Sequence, residues 1–193
     1  RADGTWYIDY SSIGGFGTAV VHRPEAGIHE YVDFHAPAPL GARADMWEHL
    51  LEGETRDGFG FSIKGRLNDI GYQAIAVPGT LSGLERLHER HGRLPWREVV
   101  APAIAWARDG FMVRPAMYAF WIDEPLAGRA SNRDRLLYSA SGRELFCRPD
   151  GTPKTIGTPL RNPDYANTLE TIARDGAASF YRGELAHRMV EDF

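Results

Sequence analysis

The stretch Gly71–Val113 constrains the fold of this chain most strongly, because turn-forming residues separate its apolar segments at short intervals. Pro78 fixes its own φ angle and moves Val77 out of the α region, and Gly79 permits a sharp turn after them. The next segment has an apolar stripe with the three- and four-residue spacing of a helix, formed by Leu81, Leu84, Leu87 and His88. A turn followed by an amphipathic helix is therefore predicted.

Capping residues mark the ends of that helix and of a second one. Thr80 is the predicted N-cap of the first helix, and Gly92 lies where a left-handed C-terminal cap would fall. Pro95 begins the second helix, Gly110 closes it, and the apolar segment Phe111–Val113 follows. The apolar side of the second helix consists of Trp96, Val99, Val100, Ile104 and Ala107. Two capped helices in succession are thus expected.

The chain before this stretch is predicted to contain a β-hairpin. Thr18–Arg23 and Ile28–Phe34 are β-prone, and the turn formers Pro24–Gly27 lie between them. A two-stranded hairpin is only marginally stable in water, so these strands are expected to join a larger sheet. Arg43–Leu51 is predicted to form a short amphipathic helix, and the glycine-rich, charged segment Glu52–Leu67 an irregular loop.

Helices are predicted to dominate the second half of the chain. The expected elements are a helix over Pro115–Trp121, a weak strand over Glu144–Cys147, a helix from Pro163 to Gly176 and a last helix over Tyr181–Phe193. Asn162 is the predicted N-cap of the helix at Pro163.

The composition is that of an ordinary globular chain and excludes some partners. The 193 residues are 43% hydrophobic and 25% charged, and the net charge of -4 is spread along the sequence. No basic patch therefore favours nucleic acid or an anionic membrane, and no apolar run is long enough to span a bilayer. Cys147 is the single cysteine, so an internal disulfide is impossible. Arg1 is not an initiator methionine, so the absence of a leader carries no information about the compartment.

Four sequence blocks follow one another in a recognisable order. The first is the glycine-rich segment Ser12–Gly17, and the second is Val32–Pro39, with the sequence VDFHAPAP. The third is the stretch described above, from AVPG to ARDGF, and the fourth is Asn162–Asp192. This order resembles the large subunit of the gamma-glutamyltranspeptidase family, whose members are N-terminal-nucleophile hydrolases. Residues 1–193 are accordingly interpreted as a single domain segment of such a subunit, and not as a complete catalytic unit.

The resemblance implies both a fold and a division of chemistry. The implied fold class is α+β, a portion of a four-layer αββα sandwich to which this chain supplies a β-hairpin and mostly helices. In the family, precursor cleavage frees a threonine at the start of the small subunit; its hydroxyl attacks an amide carbonyl while its α-amine acts as the base. No residue here matches that threonine. We therefore expect no catalytic residue in this chain, no cofactor, a small-molecule amide as substrate, and a partner small subunit from the same precursor.

The one predicted substrate-binding residue is His35, where the sequence departs from the family pattern. The family's D-F-R-E motif has an arginine at this position, which holds the α-carboxylate of a glutamyl donor. A histidine is shorter and largely neutral at pH 7, so it cannot replace the bidentate contact of a guanidinium. The substitution predicts an acylase-like or amidohydrolase-like enzyme. The alternative interpretation is that His35 is a surface residue or a hydrogen-bonded core residue, and Asp33 is expected to be structural.

Other patterns indicate chemistry less specifically. The glycines of Ser12–Gly17 lack the lysine of a P-loop and the spacing of a dinucleotide-binding fingerprint. His88 and His91 are three residues apart rather than four, so they do not match a zincin motif and are expected to be solvated.

Histidines and aromatic residues elsewhere also have simpler interpretations. His22, His29 and His35 lie on one predicted hairpin, but no cysteine or carboxylate set completes a metal site, so none is expected. Arg108 is expected to be structural, near a helix C-terminus. Core packing is the preferred interpretation of the helically spaced aromatic residues Trp96, Trp106, Tyr118, Phe120 and Trp121.

Two classes of function therefore remain open at this point. The first is an amide-hydrolysing or acyl-transferring enzyme that is active only with a threonine-bearing partner. The second is a non-catalytic relative that has lost the donor-binding arginine and acts as a binding or structural protein.

Overall fold

The computed structural model describes residues 12–56, 58, 60–124 and 128–193, which group into two compact units. The first unit contains residues 12–38, Ala76–Arg108 and Pro163–Phe193, and the second contains the described residues within Pro39–Ile75 and Asp109–Asn162. Arg1 lies outside the described residues. The interpretation of residues 1–193 as a single domain segment stays a prediction.

Short strand pairs and helices alternate along the chain. The strands are β1 (Gly17–Arg23), β2 (Ile28–Phe34), β3 (Leu51–Glu54), β4 (Phe61–Ile63), β5 (Phe111–Met112) and β6 (Pro159–Leu160). The helices are α1 (Thr80–His91), α2 (Trp96–Asp109), α3 (Pro115–Ile122), α4 (Asn132–Leu136), α5 (Ala140–Phe146), α6 (Pro163–Asp175), α7 (Ala178–Arg182) and α8 (Glu184–Asp192).

The predicted hairpin is confirmed. β1 and β2 pair antiparallel in continuous register from Gly17 opposite Phe34 to Arg23 opposite Ile28. Gly27 closes the connection at φ 63°, a left-handed conformation that glycine adopts without steric cost. Exposure alternates along both strands, so one face of the hairpin packs inward while the other is open.

The core of the first unit lies among α1, α2, α6 and α7. Its buried residues are Leu81, Ala107, Ala166, Leu169, Ile172, Ala177 and Phe180. The predicted helices at Thr80, Pro95 and Pro163 are thus confirmed, as are the ends at Gly110 and Gly176, where φ is 88° and 76°. Arg108 has the structural role predicted for it, because its Nη1 donates to Glu170 Oε1 on α6 at 2.7 Å.

The second unit has a separate, smaller core. It consists of Val113, Met117, Trp121 and Leu160, with the Phe146 ring against Trp121 at 5.3 Å. Asp69 links separate segments of the second unit, because the Asp69 carboxylate accepts hydrogen bonds from the Ala130 amide and from the Arg135 guanidinium. The helix predicted at Pro115 is confirmed as α3.

Three predictions about the second unit are wrong. Arg43–Leu51 is mostly turns with one 3-10 turn at Glu48–Leu50, because so short a segment cannot hold a helix without packing. Within Glu52–Leu67, β3 and β4 form a second hairpin, and the Thr55 amide donates to the Gly60 carbonyl at 2.8 Å. Asp57 and Phe59 of that segment lie outside the described residues.

The third error is the strand predicted at Glu144–Cys147, which is the end of helix α5. Ser139 starts this helix, since its hydroxyl accepts from the Gly142 amide at 2.9 Å. The N-cap signal therefore outweighed the weak β propensity of the segment.

In the first unit, the last predicted helix is interrupted at Gly183, where α7 ends and α8 begins. A Cβ on Gly183 would lie 2.9 Å from Ser179 Cα, so the close approach requires glycine there.

Candidate active-site face

One side of the first unit brings together three of the four sequence blocks. The glycine-rich loop, the end of β2 and the start of α1 meet there. The amides of Gly79 and Thr80 both donate to the Gly15 carbonyl at 3.0 Å, and the Val77 amide donates to the Pro37 carbonyl at 3.0 Å. The V-P-G turn is thus fixed by backbone hydrogen bonds to the first two blocks.

Glycines permit this close packing of backbone against backbone. A Cβ on Gly79 would lie 2.1 Å from the Phe34 carbonyl oxygen, and one on Gly83 would lie 2.2 Å from the Phe34 ring. Such distances are far below van der Waals contact, so both positions exclude any side chain. The glycines of this stretch therefore position the end of β2 directly on α1.

Two predicted caps of α1 differ from the structure. Thr80 is the first residue of the helix, and the preceding Gly79 has no side chain to cap it; the Gly15 carbonyl accepts the first amides instead. Gly92 has φ -67° rather than a left-handed value. It is glycine for a different reason, since a Cβ there would lie 2.5 Å from the His88 carbonyl oxygen.

His35 lies at the exposed end of β2, next to this turn. Its backbone amide donates to Asp33 Oδ1 at 2.8 Å, which agrees with the structural role predicted for Asp33. Its ring packs against Phe16, with ring centroids 4.3 Å apart and an interplanar angle of 42°. The His35 side chain is thus oriented by Phe16 and is not a buried core residue.

Tyr181 supports the same turn from α7, and no sequence pattern predicted this. Its hydroxyl donates to the Pro78 carbonyl at 2.8 Å and accepts from the Ser82 amide at 3.1 Å. Burial raises the pKa of the Tyr181 phenol, so it stays protonated and able to donate. The fourth block contains this tyrosine, but nothing in the sequence links residue 181 with residue 78.

Thr80 adds a buried polar atom to this face. The residue is 9% exposed, and among the described residues its Oγ1 has no hydrogen-bond partner. A buried hydroxyl without a partner is uncommon because it forgoes the hydrogen bond it would make in water.

A cluster of charged residues joins the hairpin to the end of α1. Glu30 Oε1 and His91 Nε2 are 2.5 Å apart, and Arg90 Nη2 lies 2.6 Å from Glu30 Oε2. The hydrogen bond from His91 has the largest effect and lowers the pKa of the Glu30 carboxyl; burial opposes it, and the charge of Arg90 lowers the pKa further.

The prediction that His88 and His91 are solvated is therefore wrong. The His91 side chain is only 15% exposed, and His88 Nε2 lies 2.7 Å from the Leu94 carbonyl oxygen. No sequence signal identified these contacts, because His91 meets Glu30 on β2, 61 residues earlier, and the His88 ring packs against Trp96 only once α1 and α2 have formed.

The remaining candidates separate into buried and exposed residues. Trp121 is buried, and Trp96 is partly buried with its Nε1 donating to the Ile172 carbonyl at 3.1 Å, as core packing predicts. Trp106 is 53% exposed, which contradicts that interpretation for this residue.

Among the described residues, no group of three or more His, Cys, Asp or Glu side chains is placed to hold a metal.

Comparison with known proteins identifies the class to which this arrangement belongs. The chain superposes on gamma-glutamyltranspeptidase from Helicobacter pylori with a TM-score of 0.76 and 28% identity, over 93% of this chain and 46% of that one. The fold is thus an α+β fragment of an N-terminal-nucleophile hydrolase, as predicted. A family model for gamma-glutamyltranspeptidase matches residues 2–193, and the chain belongs to that family.

Curated relatives give the same assignment. A glutathione hydrolase proenzyme from Arthroderma benhamiae is 33% identical over 181 residues, covering 94% of this chain and 27% of that protein. The acylase ACY 1 proenzyme of a Pseudomonas species is 33% identical over 182 residues, covering 93% of this chain and 30% of that protein. The chain therefore spans between a quarter and a third of the length of these relatives.

None of the helices in the described ranges is long and apolar enough to cross a membrane.

Proposed function

We propose that this chain is part of the large subunit of an amide hydrolase or acyltransferase whose nucleophile is an N-terminal threonine on a partner small subunit. The threonine hydroxyl would attack the amide carbonyl, its α-amine would take the proton, and the acyl group would pass to water or an amine. Membership of the family supports this division, and so do the names of two relatives as proenzymes, which imply cleavage of a precursor.

In this proposal the chain contributes substrate recognition through His35 and no catalytic residue. The observation that carries the proposal is the position, exposure and orientation of His35. It follows Asp33 and Phe34 in the position of the family's arginine, it is exposed, and its ring is held against Phe16. The imidazole is therefore oriented at the end of β2, beside the V-P-G turn, where a substrate could contact it.

The chemistry of this residue favours a donor without an α-carboxylate. Replacing arginine by histidine removes a charge-assisted bidentate contact worth about 1.5–3 kcal/mol. At about 1.4 kcal/mol per factor of ten, this weakens binding of a γ-glutamyl group by roughly 10- to 150-fold. An acyl donor that lacks the carboxylate does not incur this loss. We therefore infer an acylase-like or amidohydrolase-like specificity.

Overall identity does not distinguish the two specificities. The glutathione hydrolase and the acylase are each 33% identical to this chain over nearly the same length. The inference consequently depends on His35 alone, and it must be tested at that position.

The test compares two substrates that differ only in the carboxylate. γ-Glutamyl-p-nitroanilide and 4-aminobutyryl-p-nitroanilide share the amino group, the chain and the leaving group. The mature enzyme from the full precursor should prefer the second, and His35→Arg should shift the ratio of kcat/KM towards the first by about 10- to 150-fold. His187→Arg, at an exposed position on α8, is the matched control and should leave the ratio unchanged.

Two results would contradict different parts of the proposal. Efficient turnover of γ-glutamyl-p-nitroanilide by the unmodified enzyme, with a low KM that His35→Arg does not alter, rules out the role of His35. N-terminal sequencing of the purified chains that finds no subunit beginning with threonine rules out the nucleophile.

A further inference from the structure

The open face of the first hairpin brings two histidines into direct contact. His22 on β1 and His29 on β2 are opposite each other in the strand register. Their Nδ1 atoms are 3.1 Å apart, with ring centroids at 5.1 Å and an edge-to-face arrangement. Both residues are exposed. The predicted trio of hairpin histidines is therefore a pair, because the His35 ring lies against Phe16 instead.

The separation of the two nitrogens matches the bite of a bidentate metal site. A divalent transition metal binds imidazole nitrogen at about 2.0–2.1 Å, with an angle of roughly 90–110° between adjacent ligands. Two nitrogens bound in this way lie roughly 2.8–3.4 Å apart. The observed 3.1 Å falls in the middle of this interval, so the two Nδ1 atoms already have the separation that a shared ion requires.

We propose that His22 and His29 together chelate a divalent transition-metal ion such as Zn²⁺, with water in the remaining coordination positions. Both imidazoles must be neutral and carry their proton on Nε2, so that each Nδ1 directs a lone pair towards the ion. Imidazole is a good ligand for zinc, copper and nickel and a poor one for magnesium and calcium. This site is independent of the acyl chemistry proposed above.

A third protein ligand is not required for such a site. No group of three potential ligands occurs in the described ranges, and the sequence predicted no metal site because no cysteine or carboxylate set completes one with the hairpin histidines. Two histidines on paired strands nevertheless form a chelate, because the strand register fixes their separation in advance. The ion would be exchangeable, and it would link β1 with β2 close to the Pro24–Gly27 turn.

A hydrogen bond between two neutral rings would produce the same distance. In that case one ring carries its proton on Nδ1 and the other accepts it. The two explanations differ in what added metal does: chelation moves that proton to Nε2 and engages both Nδ1 atoms, whereas a simple hydrogen-bonded pair is unaffected by micromolar Zn²⁺.

The experiment is a calorimetric titration of the metal-free full-length protein with Zn²⁺. We expect saturable uptake of one ion by this site, and at least about a tenfold loss of affinity in His22→Gln and in His29→Gln. His187→Gln and His49→Gln, which change exposed histidines elsewhere, should bind Zn²⁺ as the unmodified protein does. Far-UV circular dichroism of each metal-free variant verifies that the fold is intact.

Imidazole nitrogen NMR of the unmodified protein provides a second measurement that needs no substitution. Chelation predicts that Zn²⁺ shifts the Nδ1 signals of His22 and His29 together. No Zn²⁺ uptake, uptake that both glutamine variants retain, or shifts confined to other histidines would each overturn the proposal.

Discussion

The two units of this chain are built by different means. In the first, α1, α2 and α6 are 12, 14 and 13 residues long, and their apolar faces form one buried cluster. In the second, α3, α4 and α5 are 8, 5 and 7 residues long, and caps and a shared carboxylate, Asp69, hold much of the unit. Long helices depend on many weak contacts, whereas short ones depend on a few specific ones.

Polar contacts also have different roles in the two units. In the first unit they join segments that are already packed, as where Glu85 Oε1 accepts from the Ala177 amide at 2.6 Å. In the second unit, Ser131 and Asp134 form a capping box at the start of α4, and without it a five-residue helix has little reason to form. Polar contacts therefore add to apolar packing in the first unit, whereas in the second unit the short helices depend on them in order to form.

The largest effect is expected from removing the central side chain of the smaller core. Trp121→Ala should lower the free energy of unfolding by about 3–5 kcal/mol, because Trp121 is 5% exposed and the second unit has few other buried residues to compensate. Urea denaturation followed by far-UV circular dichroism measures this cost.

Trp106→Ala is the matched control, since that tryptophan is 53% exposed and its replacement should cost less than about 1 kcal/mol. Equal costs for the two variants would show that the second unit is not organised around Trp121.

A somewhat smaller effect is expected where backbone meets backbone in the first unit. Gly79→Ala should destabilise the fold by about 2–3 kcal/mol, because the added Cβ would lie 2.1 Å from the Phe34 carbonyl oxygen and one chain must move. Gly41→Ala, at a position with no atom within 4 Å of the added Cβ, should be close to neutral. Denaturation of both variants under the same conditions gives the comparison, and a cost below about 1 kcal/mol for Gly79→Ala would contradict the close approach.

The smallest effect concerns the pH dependence of the first unit. The folded-state pKa of Glu30 is lowered below its ordinary value of 4.5 by His91 and then Arg90, so the charged form is favoured in the folded protein. Its contribution to stability is therefore fully present above pH 4.5 and is lost as the pH falls through the lowered pKa.

Glu30→Gln should accordingly remove part of the acid sensitivity of the unfolding midpoint. Glu89→Gln, which changes an exposed carboxylate on α1, is the matched control and should leave that sensitivity intact. Parallel acid profiles for the unmodified protein and Glu30→Gln would show that the cluster contributes nothing.

The contrast between the units also explains which elements the sequence could predict. The helices at Thr80, Pro95 and Pro163 have several turns of apolar periodicity and clear end signals, so errors there were confined to caps. Helix α5 has too few residues for periodicity, and the hydroxyl of Ser139 was its only strong signal. Short elements are predicted poorly because one residue decides them.

Predictions for the candidate site had a similar limit. The order of the blocks identified the family, and the exposed position of His35 could be anticipated from its place after a strand. The support from Tyr181 and the pairing of Glu30 with His91 could not, because both join residues that are far apart in sequence and belong to no common pattern.

The hydroxyl of Tyr181 has a consequence for the order of folding during synthesis. It contacts Pro78 and Ser82 across 103 and 99 residues of sequence, so the turn at Pro78 leaves the ribosome long before its support exists. At about 5–20 residues per second, that delay is roughly 5–20 seconds, far longer than helix formation. The turn therefore acquires its final hydrogen bonds late in translation, and a pause or truncation before residue 181 would leave the turn at Pro78 without its support from α7.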